Sequence, residues 1–307
     1  MTTQANVVRL TTEPSEQAQH SESHFSKAMR HLLHDRTTMI AFGILVIFGI
    51  LAFGAPFITD NIIRFDPNDT DPMNNFAPLG TPGHLFGTDD VGRDQLARLL
   101  HAGRISLSIG VLGAAISLTI GLVIGLATGF LGGIFDDIIN AIITTLDSLP
   151  TLYLLILVFA LFSPTAGAFV VIIALVSWTG ITRIIRGETL SKRSLDYVLS
   201  AQALGASSWR IMIVHILPNM VSIIAISLAR IIGGLMLTEA TLSFLGVGIQ
   251  APDATWGNML TKAQTYVTSG YGTHLVFPPG IAITVTVLCL YIVGDGIRDA
   301  FDPNSRR

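Results

Sequence analysis

Charge is scarce in this chain: Asp, Glu, Lys and Arg make up only 13% of its 307 residues, against roughly a quarter in an ordinary soluble domain. A soluble protein of this length needs a charged surface that such a composition cannot supply, so a freely soluble globule is excluded. Neither sign dominates. A formal net charge of −3 leaves no basic stripe for a phosphate backbone, and nucleic acid is excluded as a partner. Cysteine is rarer still. Cys289 stands alone, which rules out an internal disulfide, and it lies in an apolar run where inert packing is its ordinary role. Lysine is confined to Lys27, Lys192 and Lys262. None follows the glycine-rich lead of a phosphate-binding loop, so no Walker A site is expected and no cofactor is expected on this chain.

What the chain has in abundance is uncharged length. Half of its residues are apolar, and a hydrocarbon core of about 30 Å needs about 20 helical residues. Six spans emerge: Met39 to Ile58, then one within Ile105 to Phe135, one within Ile138 to Phe162, one within Ala168 to Ile185, one from about Pro218 to Leu242, and Leu275 to Gly294. An all-α membrane protein follows. The fifth span is the weakest, because Arg230 and Glu239 interrupt it. The first is too long for a signal-peptide core and follows a long polar leader, which favours an uncleaved helix. Residues 1–26, rich in Thr, Gln, Ser and Glu, read as a disordered tail.

Orientation follows from Lys and Arg. With the N-terminus inside, 12 of the 18 basic residues fall on the cytosolic side. Both termini are then cytosolic. One loop resists the pattern: Gly132 to Asp137 carries two aspartates and no basic residue.

The segment YVLSAQALGASSWRIMIVHILP, residues 197–218, is a polar insertion that this topology puts in the cytosol. Tyr197 to Leu204 predicts a helix, Gly205 a left-handed stop, Ser207 an N-cap for a second helix from Ser208 to Leu217, and Pro218 a rigid lead into the fifth span. It resembles the EAA loop of ATP-binding-cassette import permeases, with Ala201, Ala203, Gly205, Leu217 and Pro218 at matching positions and Leu204 and Ala206 flanking the turn. The glutamate that names the motif would fall at Leu199. Three further stretches, FGTDDVGRDQLARLLHAGRISL (86–107), LTEATLSFLGVGIQAPDATWGNML (237–260) and GDGIRDAFDP (294–303), resemble the peptide and nickel branch of those permeases. Together the matches cover roughly residues 37–303.

The resemblance implies a type I importer permease fold in the inner membrane of a prokaryote. It divides the chain into a cytosolic, mostly disordered tail (1–36), a first span with an extracytoplasmic segment (37–104), a permease core (105–300) with its coupling loop at 187–217, and a cytosolic C-terminal tail (301–307). It further implies a C-type subunit that pairs with a homologous permease, two ABC ATPases carrying ATP and Mg, and an extracytoplasmic solute-binding protein. Peptides are the expected cargo, nickel and other small solutes the next.

Three intramembrane charges are functional candidates because burial there is costly: Asp147, just before Leu149 and Pro150 where the third span should kink, and Arg230 and Glu239. The last two are nine positions apart, on opposite helix faces. Asp147 is therefore the expected partner of Arg230, with Glu239 placed near the outer surface. A proton-coupled secondary transporter would use Asp147 or Glu239 as its relay, but no repeated halves are visible. An intramembrane enzyme would need a nucleophile and base at depth, and no such arrangement occurs. Gly113, Ser117, Gly121, Gly125 and Gly129 recur every fourth position in the second span, a ridge suited to close helix packing; a glycine-lined channel is the sharper alternative. His20, His24, His31 and His34 read as solvated side chains, and no metal is expected.

Overall fold

A computed structural model describes residues 24–162, 165–267 and 272–301. The expectation for residues 1–23 therefore lies outside the described residues. Next to it, α1 (His24–His34) forms a helix where a mostly disordered tail extends to residue 36 in the sequence reading. The helix lies against the end of α12 (Thr273–Phe301).

Asp35 then opens α2 (Arg36–Phe53), its carboxylate accepting from the Thr37 and Thr38 amides at 3.1 and 3.2 Å. This satisfies two of the amides that a helix start leaves free. A short α3 (Ala55–Ile58) carries the chain into an irregular segment, 65–94, which ends where Asp94 caps α4 (Gln95–Leu131). At 37 residues α4 is about 55 Å long. It crosses the whole protein.

α5 (Gly133–Asp147) and α6 (Thr151–Phe162) form one broken span, bent by 76° at Pro150. The missing proline donor and the pre-proline bias against helix account for the break. α7 (Ala166–Lys192) follows, then α8 (Asp196–Ala203) and α9 (Ser208–Arg210) in the polar loop. From Ser208 the chain is helical to Phe244, through a wide turn at Ile211–Ile216, a tight one at Leu217–Met220, and then α10 (Val221–Phe244). So the second coupling helix is not separate from the fifth span, as a stop at Leu217 would require. Pro218 sits at the start of the tight turn, where its missing N–H costs least. α11 (Trp256–Val267) and α12 complete the chain. Among the described residues five helices are long and apolar enough to cross a membrane, and six when the broken pair is one span. No strand occurs among the described residues.

The small-residue ridge of α4 determines the packing. All five ridge residues are buried. A methyl group at Gly125 would lie 2.8 Å from the Thr182 carbonyl oxygen and from the Ile185 Cβ; at Gly129 it would lie 2.8 Å from the Arg186 carbonyl. Ser117 donates to the Ala174 carbonyl at 3.1 Å. The ridge thus lies against α7 of the same chain, backbone to backbone, rather than lining a channel. Gly113 faces Ile173 and also Leu235 of α10, and Gly110 continues the contact to Ile232 and Met236. Around this seam are three apolar clusters. One joins Ile109, Leu155, Phe169 and Leu235, with Phe159 and Phe169 stacked at 4.4 Å; another holds Leu126, Ile185, Val198 and Ile216; the third collects Met236, Trp256, Met259 and Val287.

Replacing Gly125 with Leu forces atoms into the α7 backbone, which cannot yield as a side-chain tip could. Overpacking of this kind costs roughly 1–3 kcal/mol or more, so thermal unfolding in detergent should start several degrees lower for Gly125→Leu. Val123 is 59% exposed on the other side of the helix, and Val123→Leu should unfold with the parent protein.

Candidate functional site

The polar loop between α7 and α10 is built from local rules. α8 rests on the bundle through Val198 and Ala201, three positions apart and therefore on one face, both buried in the cluster with Ile211, Met212 and Ile216. Its end is a Schellman motif: the Gly205 amide donates to the Gln202 carbonyl at 2.9 Å and the Ala206 amide to the Ala201 carbonyl at 3.0 Å. Gly205 has φ +78, as the motif demands, and nothing lies within 4 Å of where its Cβ would be. The turn is therefore enforced by backbone conformation alone. Ser207 then caps α9, its hydroxyl accepting from the Arg210 amide at 3.4 Å.

Of the residues read from the sequence, Ala201 is buried, Leu217 and Ala206 are half-buried, and Tyr197, Ala203, Gly205 and Pro218 are exposed. Leu204 is 88% exposed at the tip. Trp209, 67% exposed, escaped notice, and Leu199, noted only as a departure from the motif, is exposed on α8. Large apolar side chains held out on a polar loop mark a contact surface. The signal in the sequence was the departure itself, a leucine where the related motif carries a glutamate.

Two arginines hold the base of the loop to the rest of the chain. Arg186 of α7 forms a bidentate pair with Asp136, both bonds 2.6 Å, and Asn140 also donates to that carboxylate at 2.6 Å. Arg193 donates to the Gly129 carbonyl at 3.1 Å, at the end of α4. The short loop that carries aspartates without basic residues thus receives its positive charge from α7. Bidentate geometry strengthens this pair and fixes the orientation of both side chains.

The intramembrane charges are arranged differently from the sequence expectation. Asp147 does not meet Arg230. It lies at the α5–α6 break, where it accepts from Thr179 at 2.9 Å and pairs with Arg183 at 2.7 Å, both on α7. Arg230 faces α12 instead, 3.5 Å from Asp295 and beside Tyr291 in an open cleft. The error has a physical cause: helical periodicity gives the face of a residue but not which helix lies opposite, and Asp295 and Arg183 had been placed outside the spans. Glu239 is enclosed within the protein. It is 1% exposed, accepting from Ser243 at 2.7 Å and from Ser106 of α4 at 3.4 Å, while Ser106 accepts from the Trp256 amide at 3.1 Å.

At the other end of α4, segment 65–94 is stapled by polar contacts. Asp94 caps α4 and accepts from or pairs with His84 at 2.9 Å; Asp89 binds Arg93 at 2.7 Å; Arg98 donates to the Pro67 carbonyl at 3.0 Å. Gly87 and Gly92 have positive φ and press on the Ala77 and Asp71 carbonyls, which leaves no room for a side chain. Tyr266 of α11 donates to Asp90 at 3.2 Å, and the negative charge of Asp90 pushes the Tyr266 phenol upward. The stretches 86–107 and 237–260 are thus two halves of one contact, since Trp256 also donates from its indole to the Leu99 carbonyl at 3.0 Å. Within 294–303, Gly294 lies on Ala229 and Gly296 on Thr38.

Double-mutant cycles should separate the two charge pairs. Asp136→Asn with Arg186→Gln should show a coupling energy within about 0.5–3 kcal/mol in thermal unfolding, whereas Asp147→Asn with Arg230→Gln should be additive within about 0.5 kcal/mol. A coupling between the second pair as large as the first would overturn the assignment.

The sequence matches two family models: the inner membrane component of binding-protein-dependent transport systems over residues 121–307, and the N-terminal transmembrane domain of oligopeptide transport permease C over residues 23–78. It is 37% identical over 281 residues to the oligopeptide transport system permease protein OppC of Escherichia coli K12, covering 91% of each chain. It is 35% identical over 288 residues to the dipeptide transport system permease protein DppC of Bacillus subtilis, covering 94% of this chain and 88% of that one. A probable peptide ABC transporter permease of Sinorhizobium fredii is 36% identical over 282 residues, covering 91% and 92%.

Proposed function

The chain belongs to the family of inner-membrane components of binding-protein-dependent transport systems, and from that membership we propose that it is one permease subunit of an ATP-driven importer of short peptides. The peptide cargo rests on the oligopeptide and dipeptide transport named for its relatives. The subunit pairs with a homologous permease, receives cargo from an extracytoplasmic solute-binding protein, and is driven by two ATPases that carry ATP and Mg. This chain performs no chemistry on its cargo and binds no nucleotide. Its termini and coupling loop lie in the cytosol, and the loop joins the bundle at the end of α4 opposite segment 65–94.

The observation that carries this reading is the loop tip. Leu204, Trp209 and Leu199 project from two short helices whose mutual angle is fixed at Gly205. A partner gripping those side chains moves α8 and α9 as one piece. The movement passes into α10 directly, because the helical chain from Ser208 is unbroken, and into α7 and α4 through Arg186 and Arg193. Relay chemistry by Asp147 or Glu239 finds less support, since Asp147 is held by Arg183 and Glu239 by two serines.

Gly205→Val tests this. A left-handed conformation costs an ordinary L-residue roughly 1–2 kcal/mol, more for a β-branched one, so α9 would be re-aimed. At equal membrane abundance, Gly205→Val should lose most peptide uptake and ATPase co-purification, while Gly205→Asn, which tolerates positive φ, should keep most of both. Unchanged uptake in Gly205→Val would refute the coupling role.

A further inference from the structure

A cavity of about 460 Å³ opens near the outer end of α4. Its walls are the first turns of α4 and α7, the Pro67–Asn68 corner and the loop 252–254. Its floor is apolar, formed by Ile105, Ile109, Leu112 and Val170. Two charged side chains reach it from different walls: Arg104 from α4 and Asp253 from the loop before α11. Neither side chain makes a hydrogen bond or ion pair with any described residue. They differ in this from the neighbouring charges Asp89, Arg93, Asp94 and Arg98, all of which are engaged. Charges that stabilise the fold are paired; these two are left to the cavity.

We propose that this cavity receives the peptide as a zwitterion, with Arg104 taking the terminal carboxylate and Asp253 the terminal ammonium. The assignment rests on the reading of the subunit as a peptide permease and adds where and how the cargo is held. The volume lies in the range of small-ligand sites, which combine apolar walls with a few convergent polar groups. An arginine fork suits a carboxylate because it can donate two parallel bonds. An aspartate suits an ammonium, and having the two charges on separate walls lets one short chain be read at both ends. Side chains of the cargo would meet the apolar floor, which discriminates weakly, with Asn68, His101 and Ser108 as the remaining polar groups of the wall. The site therefore selects for free termini rather than for sequence.

Equilibrium dialysis of radiolabelled trialanine against the detergent-solubilised permease–ATPase complex, without the binding protein, tests the proposal. The parent complex should bind trialanine saturably, and Arg104→Gln and Asp253→Asn should each weaken it by about tenfold or more. Trialanine amide should bind the parent weakly and be indifferent to Arg104→Gln; N-acetyl-trialanine should behave likewise towards Asp253→Asn. Both side chains are exposed, so thermal unfolding of the variants should match the parent. Absence of saturable binding, equal binding by the variants, or parallel loss of free and blocked peptides would overturn the site. So would weakened association of the binding protein with trialanine affinity unchanged, which would make the mouth a protein contact. Uptake of trialanine by the whole transporter separates the two levels. Uptake with variant-insensitive binding removes the site and leaves peptide import standing, whereas variant-sensitive binding without uptake removes the import reading alone.

Discussion

Because Gly121, Gly125 and Gly129 bring the backbone of α4 against that of α7, these two helices share one boundary over several turns and cannot slide without steric clash. Membrane helices have no hydrophobic drive to associate, so close van der Waals approach has to supply it. The seam also decides where polar groups can be held. At one end Arg186 and Arg193 reach across to Asp136 and the Gly129 carbonyl; at the other Ser106 donates to Glu239 and the Leu99 carbonyl accepts from Trp256. Shift the seam by one residue and both sets of bonds fail together.

The two ends of the molecule solve different problems with different means. Segment 65–94 has little regular structure beyond one 3-10 turn at Pro72–Asn74, and turns, Thr88 and the α4 cap satisfy many of its carbonyls and amides. Its charges are consumed in holding it still. The polar loop is tied at its base by Arg186 and Arg193 and beyond that relies on a few buried apolar anchors, Val198, Ala201 and Ile211, with Leu199, Leu204 and Trp209 exposed. One end of the molecule is a rigid frame and the other a protruding handle.

Much of this was legible in the sequence. Uncharged runs located the spans because the bilayer imposes a length, and Pro150 marked the break because proline removes a donor. The Gly205 turn and the Ser207 cap were readable because they depend on their own backbone and immediate neighbours. The partners of Asp147 and Arg230 were not, since they depended on which helices adjoin. The burial of Glu239 within the protein was not legible either, because the chain after α10 folds back over it to put Trp256 on α4. α1 and α11 are polar or short enough that no apolar run announces them. The ridge was visible as spacing, but its facing helix was not.

The glycines of α4 and the glycine of the coupling loop differ in what surrounds them, and this has a genetic consequence. A defect from enlarging Gly125 arises between two surfaces, so a second change that shortens Ile185 can relieve part of it. A defect at Gly205 arises within one residue, with empty space around it. No neighbour exists there to compensate. Intragenic suppressors should therefore map across the α4–α7 seam for the first kind of lesion, and for the second should consist of changes at position 205 itself.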